Sequence, residues 1–149
     1  MNQHLTQLRH SMVDSGLDAL LISTFENILY ISGFSGSAGF LFITDSEQIL
    51  VTDSRYTEQA LIQSKDFTIK RMSARLDWFT DLVESLSVRK IGFEADDITV
   101  STHTLLLSEI NKLNSDKSFN AEMIATSYIV GNLRQVKSQN EILILEKVC

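Results

Sequence analysis

Hydrophobic positions change period repeatedly along this chain, and each change marks an element. Leu5, Leu8 and Met12 recur at helical spacing, with Val13 beside them and Gly16 placed for a left-handed cap, which predicts an opening amphipathic helix. Residues 19–22, Ala-Leu-Leu-Ile, are uniformly apolar and read as a buried central strand. Residues 27–30 suit a helical turn or the start of a strand. Residues 40–43 and 48–51 pair as a predicted hairpin across Asp45, Ser46 and Glu47. A helix over 56–63 and an edge strand over 67–71 follow. Leu76, Phe79, Leu82, Val83 and Leu86 share one stripe, so 77–86 is predicted as a helix with one buried face. Residues 90–93 read as strand, and 101–113 as a longer helix with Leu105, Leu106, Ile110 and Leu113 apolar. Residues 119–124 read as a last strand before a turn at Gly131 and Asn132. A hairpin followed by αβαβ predicts the α/β class, with a mixed β-sheet flanked by helices.

The strongest local signal lies between these elements. Gly33, Gly36 and Gly39, half of the chain's 6 glycines, crowd the approach to the apolar strand that begins at Phe40. Such a cluster marks a backbone that turns tightly or is closely approached. The partner strand runs on to Arg55 and Tyr56, a cation and an aromatic group able to form a functional edge.

Composition narrows the function classes. With 149 residues, 44% apolar and 21% charged, the chain has the makings of one globular domain. A net charge of -6 argues against non-specific nucleic-acid binding and against docking on an anionic membrane. The lone cysteine, Cys149, permits no intrachain disulfide and no metal-thiolate cluster, and a reducing, cytoplasmic setting is expected. No apolar run approaches the roughly 18 residues that span a bilayer, and the opening residues do not form a secretory signal. With no proline present, every break must come from Gly, Asn, Asp or Ser.

Candidate chemistry is sparse. His4 and His10 belong to one helix but not to one face, and His103 stands near the start of another, so all three read as solvated surface groups. Ser35 and Ser37 lie in the glycine loop without the Gly-x-Ser-x-Gly spacing of a nucleophile turn. The glycines lead into a strand instead of a helix, which disfavours a dinucleotide cradle. Asp45, Asp53, Glu94, Asp96 and Asp97 fall near strand ends and could hold a cation, although turn chemistry and helix capping explain them more simply. Near the end, Ser138 and Glu141 match a capping box ahead of Ile142, Leu143, Ile144 and Leu145. A helix of about 11 residues is marginal alone, and four consecutive large apolar residues need cover, so this one either docks on the domain's own sheet or, as the favoured expectation, begins a following domain.

The ordered series 16–22, Asn27-x-x-Tyr-x-Ser-Gly-Phe34, Gly36-Ser-Ala-Gly39, Thr52-Asp-x-Arg-Tyr56 and Leu133-Arg-x-Val-Lys-Ser-x-x-Glu141 resembles the N-terminal domain of the creatinase, prolidase and aminopeptidase P family, and the glycine loop is closer to the aminopeptidase P form. The resemblance implies an RNase H-like mixed sheet over 1–132, with 133–149 forming a linker and the start of a C-terminal pita-bread domain. It places catalysis in that second domain, where two divalent metal ions, usually manganese, held by aspartates, a histidine and glutamates, activate the water that cleaves the bond before proline. No catalytic or metal-ligating residue is expected in the present chain. The implied partners are the chain's own catalytic domain, a second copy in a homodimer, and a proline-containing peptide. The loop that would narrow substrate access is Phe34, Ser35, Gly36, Ser37 and Ala38, supported by Arg55 and Tyr56; Ser54 departs from the glycine common in relatives. The alternative is an interaction module of the same architecture, such as a histone-chaperone-like relative that has lost its ligands.

Overall fold

Alternation along the central strands decides how the layers stack. In the computed structural model, which describes residues 2–135, the order is α1 (Gln3–Asp14), β1 (Ala19–Ile22), α2 (Phe25–Ser32), β2 (Phe40–Thr44), β3 (Gln48–Thr52), α3 (Thr57–Gln63), β4 (Thr68–Arg71), α4 (Asp77–Ser85), β5 (Lys90–Glu94), α5 (Val100–Lys117), β6 (Glu122–Thr126) and α6 (Ile129–Gln135). Leu20, Ile22, Leu41, Ile43 and Leu50 point to one face of the sheet, where Leu8, Met12, Ile28, Ile31, Ala60 and Val130 from α1, α2, α3 and α6 cover them. Ala19, Leu21, Phe42, Ile49, Val51, Ile91 and Phe93 point to the other face, under Trp78, Phe79, Leu82 and Val83 of α4 and Leu106, Ile110 and Leu113 of α5. Strand side chains alternate between faces, so a strand apolar at every position fills both cores at once. The result is the mixed, helix-flanked sheet expected from the sequence.

The sheet has six strands among the described residues, in the order β4-β3-β2-β1-β5-β6. β2 runs antiparallel to both β1 and β3, while β1–β5, β5–β6 and β3–β4 are parallel. This arrangement gathers the carboxyl ends of five strands and the start of β2 along one edge. Ile22 faces Leu41, Phe40 faces Val51, Thr52 faces Arg71 and Glu94 faces Thr126. On the opposite edge, Arg9 of α1 clamps the β2–β3 turn, its Nε donating to the Thr44 carbonyl at 2.7 Å and Nη2 to Gln48 Oε1 at 2.8 Å.

Of the two readings open for residues 27–30, the helical one holds: they belong to the full helix α2, ended by Gly33 at φ 79°, whose N–H donates to the Leu29 carbonyl. Other elements differ from their sequence-based expectation. The last strand lies at Glu122–Thr126 instead of 119–124, because the Asn114 side chain binds both the N–H and the carbonyl of Ala121 and holds the preceding residues as a loop. Gly131 and Asn132 are helical within α6, where buried Val130 and half-buried Ile129 and Leu133 seat the helix on the sheet. The capping box at Ser138 and Glu141, the apolar run 142–145 and Cys149 lie outside the described residues.

Candidate functional site

The carboxyl edge of the sheet carries the glycine loop and its neighbours. Each loop residue has a definite role there. Phe34 is fully buried beneath the loop, its ring edge-on to Tyr56 at a centroid distance of 6.1 Å. Gly36 packs directly over that ring: a Cβ would come within 2.2 Å of Phe34 Cζ. Glycine is therefore required here for close approach. Phe34 anchors the loop, and the groups offered outward are Ser35, Ser37 and, partly, Ala38.

Hydrogen bonds hold the tip. The Ser35 N–H donates to Gln63 Oε1 at 3.0 Å, and Ser35 Oγ accepts from Gln63 Nε2 at 2.9 Å and Gln59 Nε2 at 3.1 Å. Ser37 Oγ and Tyr56 OH share a 2.6 Å hydrogen bond. The Ala38 carbonyl accepts from Thr52 Oγ1 at 2.5 Å. Sequence reasoning brought Phe34 to Ala38 together with Tyr56 and held Thr52 only as part of a motif, but it missed Gln59 and Gln63. Polar side chains on a short helix carry no periodic signal that would reveal a partner 28 residues away.

Arg55 is placed differently from Tyr56. β3 ends at Thr52, and Arg55 sits in the turn that follows, its guanidinium 2.7 Å from Asp53 Oδ2 and 5.2 Å from the Tyr56 ring centroid. Its side chain remains 71% exposed. The Arg55 hydrogen bond holds the Asp53 carboxyl below its ordinary value, and Asp53 in turn raises the Arg55 pKa. Ser54 is not among the described residues with positive φ, so serine fits this turn without strain.

Glu94 closes the same edge on the far side of β1. Its Oε1 accepts the Ser23 N–H at 2.7 Å and the Thr24 N–H at 2.9 Å, while Oε2 accepts from Asn27 Nδ2. Thr24, the N-cap of α2, makes no capping bond with its own side chain, so a carboxylate from another strand serves that end. Among the described residues, no three His, Cys, Asp or Glu side chains converge to hold a metal ion. The resemblance asks none of these residues to hold the dinuclear centre, which it places in the second domain.

Comparison with known proteins agrees with the fold. The family described as Creatinase/Prolidase N-terminal domain matches residues 4–136. An uncharacterized peptidase of Bacillus subtilis is 36% identical over 144 residues, covering 96% of this chain and 38% of its own length. The crystal structure of the N-terminal domain of the cytoplasmic peptidase PepQ from Mycobacterium tuberculosis superposes with a TM-score of 0.79 at 32% identity, covering 89% of this chain and 99% of that one. The Xaa-Pro dipeptidase from Bacillus anthracis superposes with a TM-score of 0.81 at 29% identity, over 97% of this chain and 39% of the dipeptidase. This chain thus spans well under half the length of the curated relatives it matches.

Proposed function

Because this chain belongs to the Creatinase/Prolidase N-terminal domain family, we propose that it serves as the non-catalytic N-terminal domain of a metal-dependent Xaa-Pro peptidase. In this reading the complete protein is cytoplasmic and hydrolyses the peptide bond before proline, using two divalent ions, manganese foremost, held by a C-terminal catalytic domain. The present domain supports a homodimer and lends residues 34–38, backed by Arg55 and Tyr56, to the wall of a substrate entrance. One observation carries the reading. The family match runs through residues 4–136, yet the chain spans only 38% of the Bacillus subtilis peptidase, so most of that relative's length lies beyond the shared domain. The carboxylates at the sheet edge support it further, since Glu94 caps a helix and Asp53 pairs with Arg55.

The test is direct. The purified chain, supplied with manganese and Xaa-Pro peptides, should release no amino acid, whereas the chain extended through its catalytic domain should hydrolyse them. Chelator-sensitive turnover by the 149-residue chain would overturn the assignment.

A further inference from the structure

The polar anchors of residues 35–38 come from one stretch of chain. Thr52 holds the Ala38 carbonyl, Tyr56 holds Ser37, and Gln59 and Gln63 hold Ser35. Positions 56, 59 and 63 stand at i, i+3 and i+7, a spacing that places them on one face of α3 and its lead-in. Gln63 touches Ser35 twice, accepting from its N–H and donating to its hydroxyl, which restrains both the position and the tilt of that peptide unit. Gln59 Nε2 also donates to Gln63 Oε1 at 3.1 Å, steadying the amide that does the holding. Beneath the loop, Phe34 fills the core and Gly36 rests on its ring.

We propose that Gln59 and Gln63 are positioning residues that lock Ser35 onto α3, making the loop it opens a preformed wall and not a mobile lid. The proposal rests on the reading of the loop as the edge of a substrate entrance, and it identifies the groups that set where that edge stands. A loop secured only by solvent-facing backbone contacts opens at little cost. Here each outward residue is tied to a side chain between Thr52 and Gln63, above the buried Phe34, so the entrance keeps its width before any peptide arrives.

Amide exchange on this chain measures the clamp. Gln63→Ala should speed exchange at the Ser35 amide about tenfold, the worth of one hydrogen bond, while Leu21 and Ile43 in the sheet keep wild-type rates. Gln63→Glu retains the acceptor oxygen and should leave the Ser35 amide protected. An unchanged Ser35 rate in Gln63→Ala, or equal acceleration at Leu21 and Ile43, overturns the proposal. A second arm separates the clamp from the entrance reading. In the polypeptide extended through its catalytic domain, Gln59→Ala with Gln63→Ala should shift the KM ratio between longer Xaa-Pro peptides and tripeptides by roughly threefold, on the same hydrogen-bond scale, with kcat for tripeptides unaltered. Faster Ser35 exchange with an unmoved KM ratio would uphold the clamp and remove the substrate-entrance reading.

Discussion

At Gly36 a methyl group would meet Phe34 Cζ at 2.2 Å and both ring Cε atoms inside 3 Å, and that ring is fully buried in a close-packed core. Gly36→Ala is expected to cost ~1–3 kcal/mol, the range for overpacked sites, and a lowered urea midpoint at constant m-value would show it. The Asp53–Arg55 pair makes a different kind of prediction. Asp53 has a folded pKa below its unfolded value, chiefly through the Arg55 hydrogen bond, so its contribution is complete above the unfolded pKa and is lost as pH falls through the folded one. Carboxyl-carbon NMR titration should place the Asp53 midpoint below an ordinary aspartate, and Arg55→Ala should return it upward. Added salt should shrink the difference, because the pair faces solvent. The glycine cluster was legible as a close approach, since few other reasons crowd glycines ahead of a strand. The identity of the approaching group was not legible: Phe34 is a near neighbour in sequence, but its burial under the loop depends on the whole sheet.

Helix α2 shows what an element borrows from its surroundings. Its N-cap, Thr24, leaves the capping to Glu94 at the end of β5, which takes the Ser23 and Thr24 N–H groups. Glu94→Ala should therefore cost roughly 1–3 kcal/mol by leaving those donors unpaired. Hydrogen exchange should show α2 losing protection before the sheet does. Acidic residues after Phe93 signalled a cap or turn in the sequence, and Glu94 is indeed a cap, but of a helix some 70 positions earlier. Elements misread or left open in the sequence follow the same logic. Gly131 and Asn132 look like a turn by propensity, yet Val130 and Leu133 gain enough burial against the sheet to keep α6 helical. Residues 27–30 were ambiguous because so short an apolar stretch fits either period, and packing of Ile28 and Ile31 resolved it.

Across the whole molecule, two apolar layers share one hydrogen-bonded sheet, which should make them melt together. Trp78, the only tryptophan, is buried on the α4–α5 side. Its fluorescence and the far-UV circular dichroism should trace one coincident urea transition; separated midpoints would mean that the two layers unfold independently. Phe79→Ala, which empties a fully buried site facing Phe42, should cost about 3–5 kcal/mol and lower both signals' midpoints equally. Runs of apolar residues and their periods were enough to specify the class, the hairpin and most helices, because burying a strand or a helix face depends on side-chain spacing within a few residues. Strand order, the gathering of five carboxyl ends along one edge, and the seating of Ser35 against Gln59 and Gln63 arise from contacts between distant segments. Those contacts exist only once both cores have closed, since burial on the two faces of the sheet holds the partners in register.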